Sequence, residues 1–499
     1  MSQGIECALK AVVAICAALL LAGLAKGRPA LLVRRRTAVL RGLAIVGALS
    51  AINFGGLHTD GTALHLWDQY HYFVGSKYFA ELGYDGLYVA TIEARKEQLP
   101  EAAPPTRLRD LRSNQLVPLA SVADHTAQVR ARFSDRRWQQ FSADASRFYL
   151  RDDIYLDNGL KATPTHIQVL RFFSRWLPFR TRSMYLAALL DVALLALGAF
   201  AVQRAFGLAE LAGVSLTFGL GFCSRYYWVG GAFLRHDWLI ALVLAAALLE
   251  SGRVRLAALA LAYASVIRLF PALFAVPLAV HWIAQQRWQT LTRFYAVFGV
   301  AAAALVLLGF IGQPHAWEQS IRGLLTHSRT VFPNSIGLRV PLITSLANAR
   351  GELVNPNTLY DYVAISRDYA ATLHARLWLV VLATLGFVAL ALRSAWRAET
   401  ASAAFSLGVV LVFALTAPTG YYGTYFALLP LVLPLRTSAV FLAATSLTYV
   451  IAGAVLWLSS AGWMRLNGAA VFGPAAFLLA GVLLAWMIRF PARKPAVAS

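Results

Sequence analysis

The chain is poor in charge, in acidic residues and in cysteine, and each shortage narrows what it can be. Only 14% of its 499 residues are charged, while 59% are hydrophobic. A soluble protein of this length needs far more charge to cover its surface. The three cysteines, Cys7, Cys16 and Cys223, fall in or beside apolar runs, so nothing resembles a disulfide framework or a metal knuckle. The chain has no Gly-rich phosphate loop of the nucleotide-binding kind. It also has no RNA- or DNA-binding motif, and no internal repeat of the sort that marks many secondary transporters. Acidic residues number 24 against 45 Lys and Arg, for a net charge of +21. That excess is read as cytoplasm-facing loops, contact with anionic membrane lipid and a phosphorylated substrate, with no nucleic acid partner.

What is present is apolar sequence. Mean hydropathy is +0.59, and runs of roughly twenty apolar residues recur along the chain, which predicts an all-α polytopic membrane protein. Candidate spans are 6–26, 38–57, 183–203, 208–228, 231–250, 255–268, 270–284, 293–312, 374–392, 401–418, 421–436, 438–458 and 468–489. The first run has no preceding basic region and no cleavage site, and reads as a retained helix. Arginines in short loops set the orientation: Arg34, Arg35 and Arg36, then Arg253 and Arg255, Arg287 and Arg293, Arg393 and Arg397, and finally Arg489, Arg493 and Lys494. All of these fall on one side if 255–268 and 270–284 form a short broken hairpin, with Pro271 at the break. The amino terminus is then outside and the carboxy terminus inside.

The expected organisation is two membrane helices over 1–57, a long extracytoplasmic loop over 58–182 and membrane helices with the hairpin over 183–312. A second extracytoplasmic loop over 313–373 and C-terminal membrane helices over 374–499 complete it. The first loop is mixed in charge, carries Pro104 and Pro105, and is expected to form short helices over the membrane.

The most informative stretch is 67–88, WDQYHYFVGSKYFAELGYDGLY. If 67–82 is helical, Trp67, Tyr70, Val74 and Tyr78 make an apolar stripe, with Asp68 and Tyr72 one turn apart on an adjacent face. A carboxylate at a membrane surface, among aromatic rings, a histidine and Lys77, suits proton abstraction. The plainer reading is an interfacial aromatic-belt helix with Asp68 as its cap. His65, Asp68 and His71 also suggest a metal, but their spacing of three does not bring all three side chains together on a helix. Elsewhere, Arg225, Arg235, His236 and Asp237 flank one short loop, where Arg235 and Asp237 can pair with each other. Arg268 sits near the hairpin tip, where phosphate is a natural partner for a buried guanidinium. His327 precedes Phe332, Asn334, Ser335 and Arg339, a set suited to hydroxyl and phosphate recognition or to an ordinary turn. Tyr421 and Tyr422 lie in a breaker-rich turn, while Asp152, Asp153 and Asp157, before His166, read as solvated loop acids.

Taken in order, these pieces resemble the polyprenyl-phosphate-sugar-dependent membrane glycosyltransferases of the GT-C class, and most of all glycosyltransferase family 87, which includes bacterial alpha-mannosyltransferases. The family's outer Asp, aromatic, Gly and Leu-Tyr series is matched by Asp68, Tyr72, Gly83, Leu87 and Tyr88. Its Pro-containing helix start is matched by Pro164 to His166, and its small-residue turn by Gly230 to Asp237. Arg268 with Pro271 stands where lysine is more usual. The outer Asn-Ser motif is matched by Asn334 and Ser335, and the Pro-aromatic turn by Pro418 to Tyr422. The succession runs over about residues 50–435. An extra span before the catalytic loop, the length of that loop, and tyrosines where His is common all depart from the family.

The resemblance implies a GT-C-like bundle of about 13 membrane helices with helical extracytoplasmic loops. It also implies an inverting transferase in a bacterial inner membrane, with its active site on the periplasmic face. A mannose-like hexose would pass from a polyprenyl-phosphate sugar donor to a glycan or glycolipid acceptor. Asp68 would be the general base, and Tyr72, Lys77, His166, Arg225, His236, Arg268, His327, Asn334, Tyr421 and Tyr422 would bind substrate. No metal or other cofactor is expected. The alternatives are a transporter or lipid flippase, and a lipid-linked saccharide polymerase or ligase.

Overall fold

The computed structural model of the protein describes residues 1–58, 61–328, 332–355 and 361–490, apart from the side chains of residues 327 and 328. The His327 side chain, Arg493 and Lys494 therefore lie outside the described residues. The described chain is almost wholly helical. Six helices are long and apolar enough to cross a membrane: Gln3–Lys26, Thr181–Ala205, Trp288–Leu308, Leu377–Arg397, Leu435–Ser460 and Ala469–Ile488. Four shorter apolar helices, Leu208–Leu220, Val254–Ile267, Phe270–Ala284 and Ala401–Leu415, pack among them. On Trp288–Leu308 only Phe294 is fully buried, while Leu291, Tyr295, Val297 and Phe298 pack partly buried against the core and much of the rest of the helix is exposed. The protein is a helical integral membrane protein.

The helices fall short of the expected thirteen spans, for local backbone reasons. The run 208–228 stops as a helix at Leu220, because Gly221 turns to extended backbone. The run 231–250 becomes helical only at Asp237, after positive φ at Gly231 and Leu234. The run 421–436 is a 3-10 helix over Gly420–Leu431 with Pro430 inside it. The run 38–57 ends at Ala51, ahead of positive φ at Asn53, Phe54 and Leu57. The break within 255–284 is present: Val254–Ile267 ends at Arg268, whose backbone is extended, and Phe270–Phe274 then leads into Ala275–Ala284, but the two halves pack mainly on other helices and not on each other as a hairpin would.

Small residues let two of the first-half helices touch. A Cβ placed on Gly219 would lie 1.9 Å from the Gly47 carbonyl oxygen, and one on Gly47 would lie 2.4 Å from the Ser215 carbonyl carbon. Helices in lipid gain by such close backbone approach because burying apolar surface there carries little reward.

The first long loop folds as a layer of its own over one end of the bundle. It contains the helices Leu87–Gln98, Ala123–Arg130, Asp135–Ala145 and Pro164–Ser174. It also holds an antiparallel pair of strands absent from the sequence expectation, Arg107–Asp110 and Gln115–Pro118. Tyr70, Val74 and Tyr78 are fully buried in its core with Phe141 and Phe148. The stretch around Asp68 is thus an internal strut of this layer, and the aromatic-belt reading fails because the side chains from Asp68 to Phe79 are buried within the protein. The layer is fastened to the bundle through Pro164–Ser174, where the Thr165 hydroxyl donates to the Leu305 carbonyl at 2.6 Å.

Gly219→Val is expected to lower the melting temperature of the detergent-solubilised protein, since overpacking costs about 1–3 kcal/mol. Gly299→Val, where the added Cβ meets nothing within 4 Å, should leave it unchanged. Equal melting temperatures for the two variants would rule out the close helix contact.

Candidate active site

The site begins with a backbone docking. Gly231 has φ +69, and a Cβ there would lie 1.9 Å from the Ala63 carbonyl oxygen. Only glycine allows that approach without strain. The His65 amide donates to the Gly231 carbonyl at 3.1 Å, and the Gln69 side chain reaches the same oxygen at 3.3 Å. The strut carrying Asp68 is thereby laid on the turn carrying Arg235. His65, rather than Asp68, caps the short helix Leu66–Asp68, its Nδ1 accepting from the Asp68 amide at 3.2 Å. That leaves the Asp68 carboxylate free to point away. Residues Gln69–Val74 continue as π-helix, a form frequent at functional sites.

Asp68 meets Arg235, with Oδ2 3.4 Å from Nε, both side chains being about nine-tenths buried. Arg235 also donates to the Tyr72 hydroxyl at 3.2 Å, and Arg268 approaches the same oxygen at 3.4 Å. One phenol thus joins two guanidinium groups. Arg268 lies 3.4 Å from His166 Nδ1, while His166 Nε2 lies 3.2 Å from Asp237 Oδ2. Tyr263 donates to that same carboxylate oxygen at 2.7 Å. Tyr421 stacks under Arg235 at 4.1 Å, and Tyr422 lies 5.8 Å from Arg268. Burial by itself would raise the Asp68 carboxyl. The Arg235 guanidinium, helped by His65, His71 and Arg268, outweighs it and holds the carboxyl below the usual carboxylate range. Burial pushes His65 and His71 down, favouring their neutral forms.

This network faces a cavity of about 1750 Å³ between the loop layer and the bundle. Small-molecule sites typically run from about 300 to 1,000 Å³, so there is room for two substrates. Asp68, Tyr72, Arg268, Asn334, Tyr421 and Tyr422 all line it. Asn334 arrives from the second loop, which is stitched to the turn before the tyrosines. The Ile336 amide donates to the Pro418 carbonyl at 2.8 Å and Leu338 to Phe413 at 2.9 Å.

Four expected binding residues are elsewhere. Lys77 is held inside the loop layer by Asp144 at 2.7 Å and the Leu177 carbonyl at 2.6 Å. Arg225 is clamped by Glu6 of the first helix, next to Lys10. His236 is bound to Asp191 at 2.9 Å. His166 stands behind Arg268 as a buried support, outside the cavity wall. In each case a nearby acid claims the cation or imidazole. The pairing of Arg235 with Asp237 also fails, because Asp237 is taken by His166 and Tyr263. Arg235 is the central residue the sequence did not single out for substrate; its only signal was a guanidinium following a Gly-Gly turn. Asp157, read as a solvated acid, lines the cavity 3.7 Å from His71. Among the described residues, no group of three or more His, Cys, Asp and Glu could hold a metal ion.

A double-mutant cycle of Asp68→Asn and Arg235→Gln, read by thermal melting, should give a coupling of about 0.5–3 kcal/mol. Each single variant strands one buried charge, and the double variant should recover part of the loss. Simple additivity would contradict the pairing. No family model, curated protein or solved structure matches this chain.

Proposed function

We propose that the protein is a membrane glycosyltransferase that moves a sugar from a polyprenyl phosphate to a hydroxyl acceptor. The observation that carries this reading is the sharing of one large cavity by a buried carboxylate, Asp68, and two guanidinium groups, Arg235 and Arg268. The donor phosphate fits the two arginines, whose fork geometry matches phosphate oxygens. Once the phosphate engages Arg235, the Asp68 carboxylate loses its depressing partner and becomes a better base, which proton transfer at neutral pH requires.

Transfer is then a single displacement. The acceptor oxygen attacks the anomeric carbon as its proton passes to Asp68. The bond from that carbon to the phosphate oxygen breaks, and polyprenyl phosphate leaves with the electron pair, its charge held by Arg268 and Arg235. Attack from the face opposite the phosphate inverts the anomeric centre. Tyr72 holds the two guanidiniums in register, and the Tyr421 and Tyr422 rings support them from beneath. The bond cleaved supplies the driving force, and a hexose such as mannose fits the resemblance. The bacterial inner membrane, with the cavity on its periplasmic side, suits a lipid-borne donor and the arginine-rich loops at the other helix ends.

Purified protein incubated with labelled polyprenyl-phosphate mannose and a glycan or glycolipid acceptor should form labelled product. Asp68→Asn should reduce turnover by about 10²–10⁴-fold. Arg268→Ala should reduce donor use by about 10²–10³-fold without unfolding. Undiminished transfer by the Asp68 variant would sink the base assignment. Lipid exchange between leaflets with no product would identify a flippase, and transfer only from a diphosphate-linked donor would identify a polymerase or ligase.

A further inference from the structure

The end of the helix Pro164–Ser174 and the start of the span Thr181–Ala205 make a surface patch that the cavity does not use. Phe172, Phe173, Arg175, Trp176, Arg180 and Arg182 are all exposed there, Trp176 at 76%. The Phe172 and Phe173 rings meet edge-on at 5.2 Å, and the Arg175 guanidinium lies 4.6 Å from the centre of the Trp176 ring and 5.9 Å from that of Phe172. Arg171 lies within electrostatic reach of Arg175. Arg147 donates to the Thr181 hydroxyl at 2.7 Å, between Arg180 and Arg182.

Five guanidinium groups thus gather in one place, and none of them has an ion pair among the described residues. The acids close by are already taken. Glu81, which acts on Arg171, is gripped by Arg137 at 2.6 Å. Asp144, which accepts from the Phe179 amide at 2.9 Å, is held by Lys77 and Tyr78. Like charges at this density repel, so the cluster gains from anions supplied from outside the fold.

The span sets the depth of the patch. Tyr185, Leu186, Leu189 and Val192 are exposed on Thr181–Ala205, so this side of the helix faces lipid. Arg182 precedes the first three of these by three, four and seven residues, which puts it on the same helical face at the point where the stripe ends. A guanidinium there reaches headgroup phosphates, which its fork geometry matches. Exposed aromatic rings belong at the same level. The aromatic belt that 67–82 does not supply is found here instead.

We propose that residues 171–182 seat the loop layer on the bilayer by binding anionic phospholipid headgroups, with Phe172, Phe173 and Trp176 inserted among the lipids. The helix that carries the patch also carries His166 behind Arg268, so the contact holds the site at a set height above the membrane. The lipid contact does not depend on the transferase reading.

The test is photocrosslinking of the full-length protein in lipid nanodiscs, with phosphatidylglycerol or phosphatidylcholine carrying the same photoreactive acyl chain, and the labelled peptides mapped. Labelling of 171–182 should be stronger with phosphatidylglycerol by about fivefold or more, since one arginine near an anionic surface is worth about fivefold in affinity. Arg175→Gln with Arg180→Gln and Arg182→Gln should abolish that preference. These three side chains are exposed and make no hydrogen bond among the described residues, so the triple variant should melt with the unmodified protein. Arg204→Gln, at the far end of the same span, should leave the preference unchanged, and Trp176→Ala should reduce labelling by both lipids alike. Absent or equal labelling by the two lipids in the unmodified protein, or a preference that survives the triple variant, would overturn the proposal. Loss of the preference on adding inorganic phosphate at constant ionic strength would also overturn it, by identifying a site for free phosphate.

Discussion

Everything at the site hangs on the buried contact between Asp68 and Arg235. It joins a carboxylate on the first loop to a guanidinium on the turn that starts a bundle helix, and Arg235 is the strongest of the charges that act on Asp68. Breaking a buried pair by removing one partner typically costs about 3–5 kcal/mol, so the contact also locks the loop layer onto the bundle. Tyr72 extends it to Arg268, and the cavity opens where this chain of groups meets the layer. The cohesion of the fold and the proposed reaction therefore depend on the same few atoms.

The docking that makes this contact possible is a matter of space and not of charge. Gly231 lets the backbone at Ala63 come close enough for His65 and Gln69 to share its carbonyl. On the far side of the layer, Thr165 and the His166–Asp237 pair hold the helix Pro164–Ser174 against the ends of two bundle helices. Without these anchors Asp68 would sit on a surface loop, where water would solvate it and no large cavity would form. The separation of roles among the basic residues follows from the same geometry. Lys77, Arg225 and His236 each find a nearby acid and serve the fold. Arg268 is joined through the Tyr72 hydroxyl to Arg235 and faces the cavity.

Much of this was legible in the chain. Long apolar runs predict membrane helices because lipid leaves the backbone few ways to satisfy its polar groups, and the six long helices sit where those runs are. The break at Arg268 follows from Pro271, which has no N–H to continue the helix to the Ile267 carbonyl. Asp68, Tyr72, Arg268, Asn334, Tyr421 and Tyr422 were all picked out before folding brought them to one cavity. The misses share a cause. Apolar runs at 208–228, 231–250 and 421–436 were counted as full spans, but hydropathy does not see a glycine with positive φ or a 3-10 turn. The strand pair at Arg107–Asp110 is too short to stand out.

Hydropathy and residue order were enough to establish a helical membrane protein with two long loops and a carboxylate worth testing. Folding alone decided which charges stay available. Lys77 and Arg268 look alike in the sequence, a basic side chain among aromatics, yet one is neutralised by Asp144 and the other opens onto the cavity. Arg235 became central only because a turn 163 residues beyond Tyr72 was laid against it. A side chain's partner is set by which backbones approach, and that is a property of the packed chain as a whole.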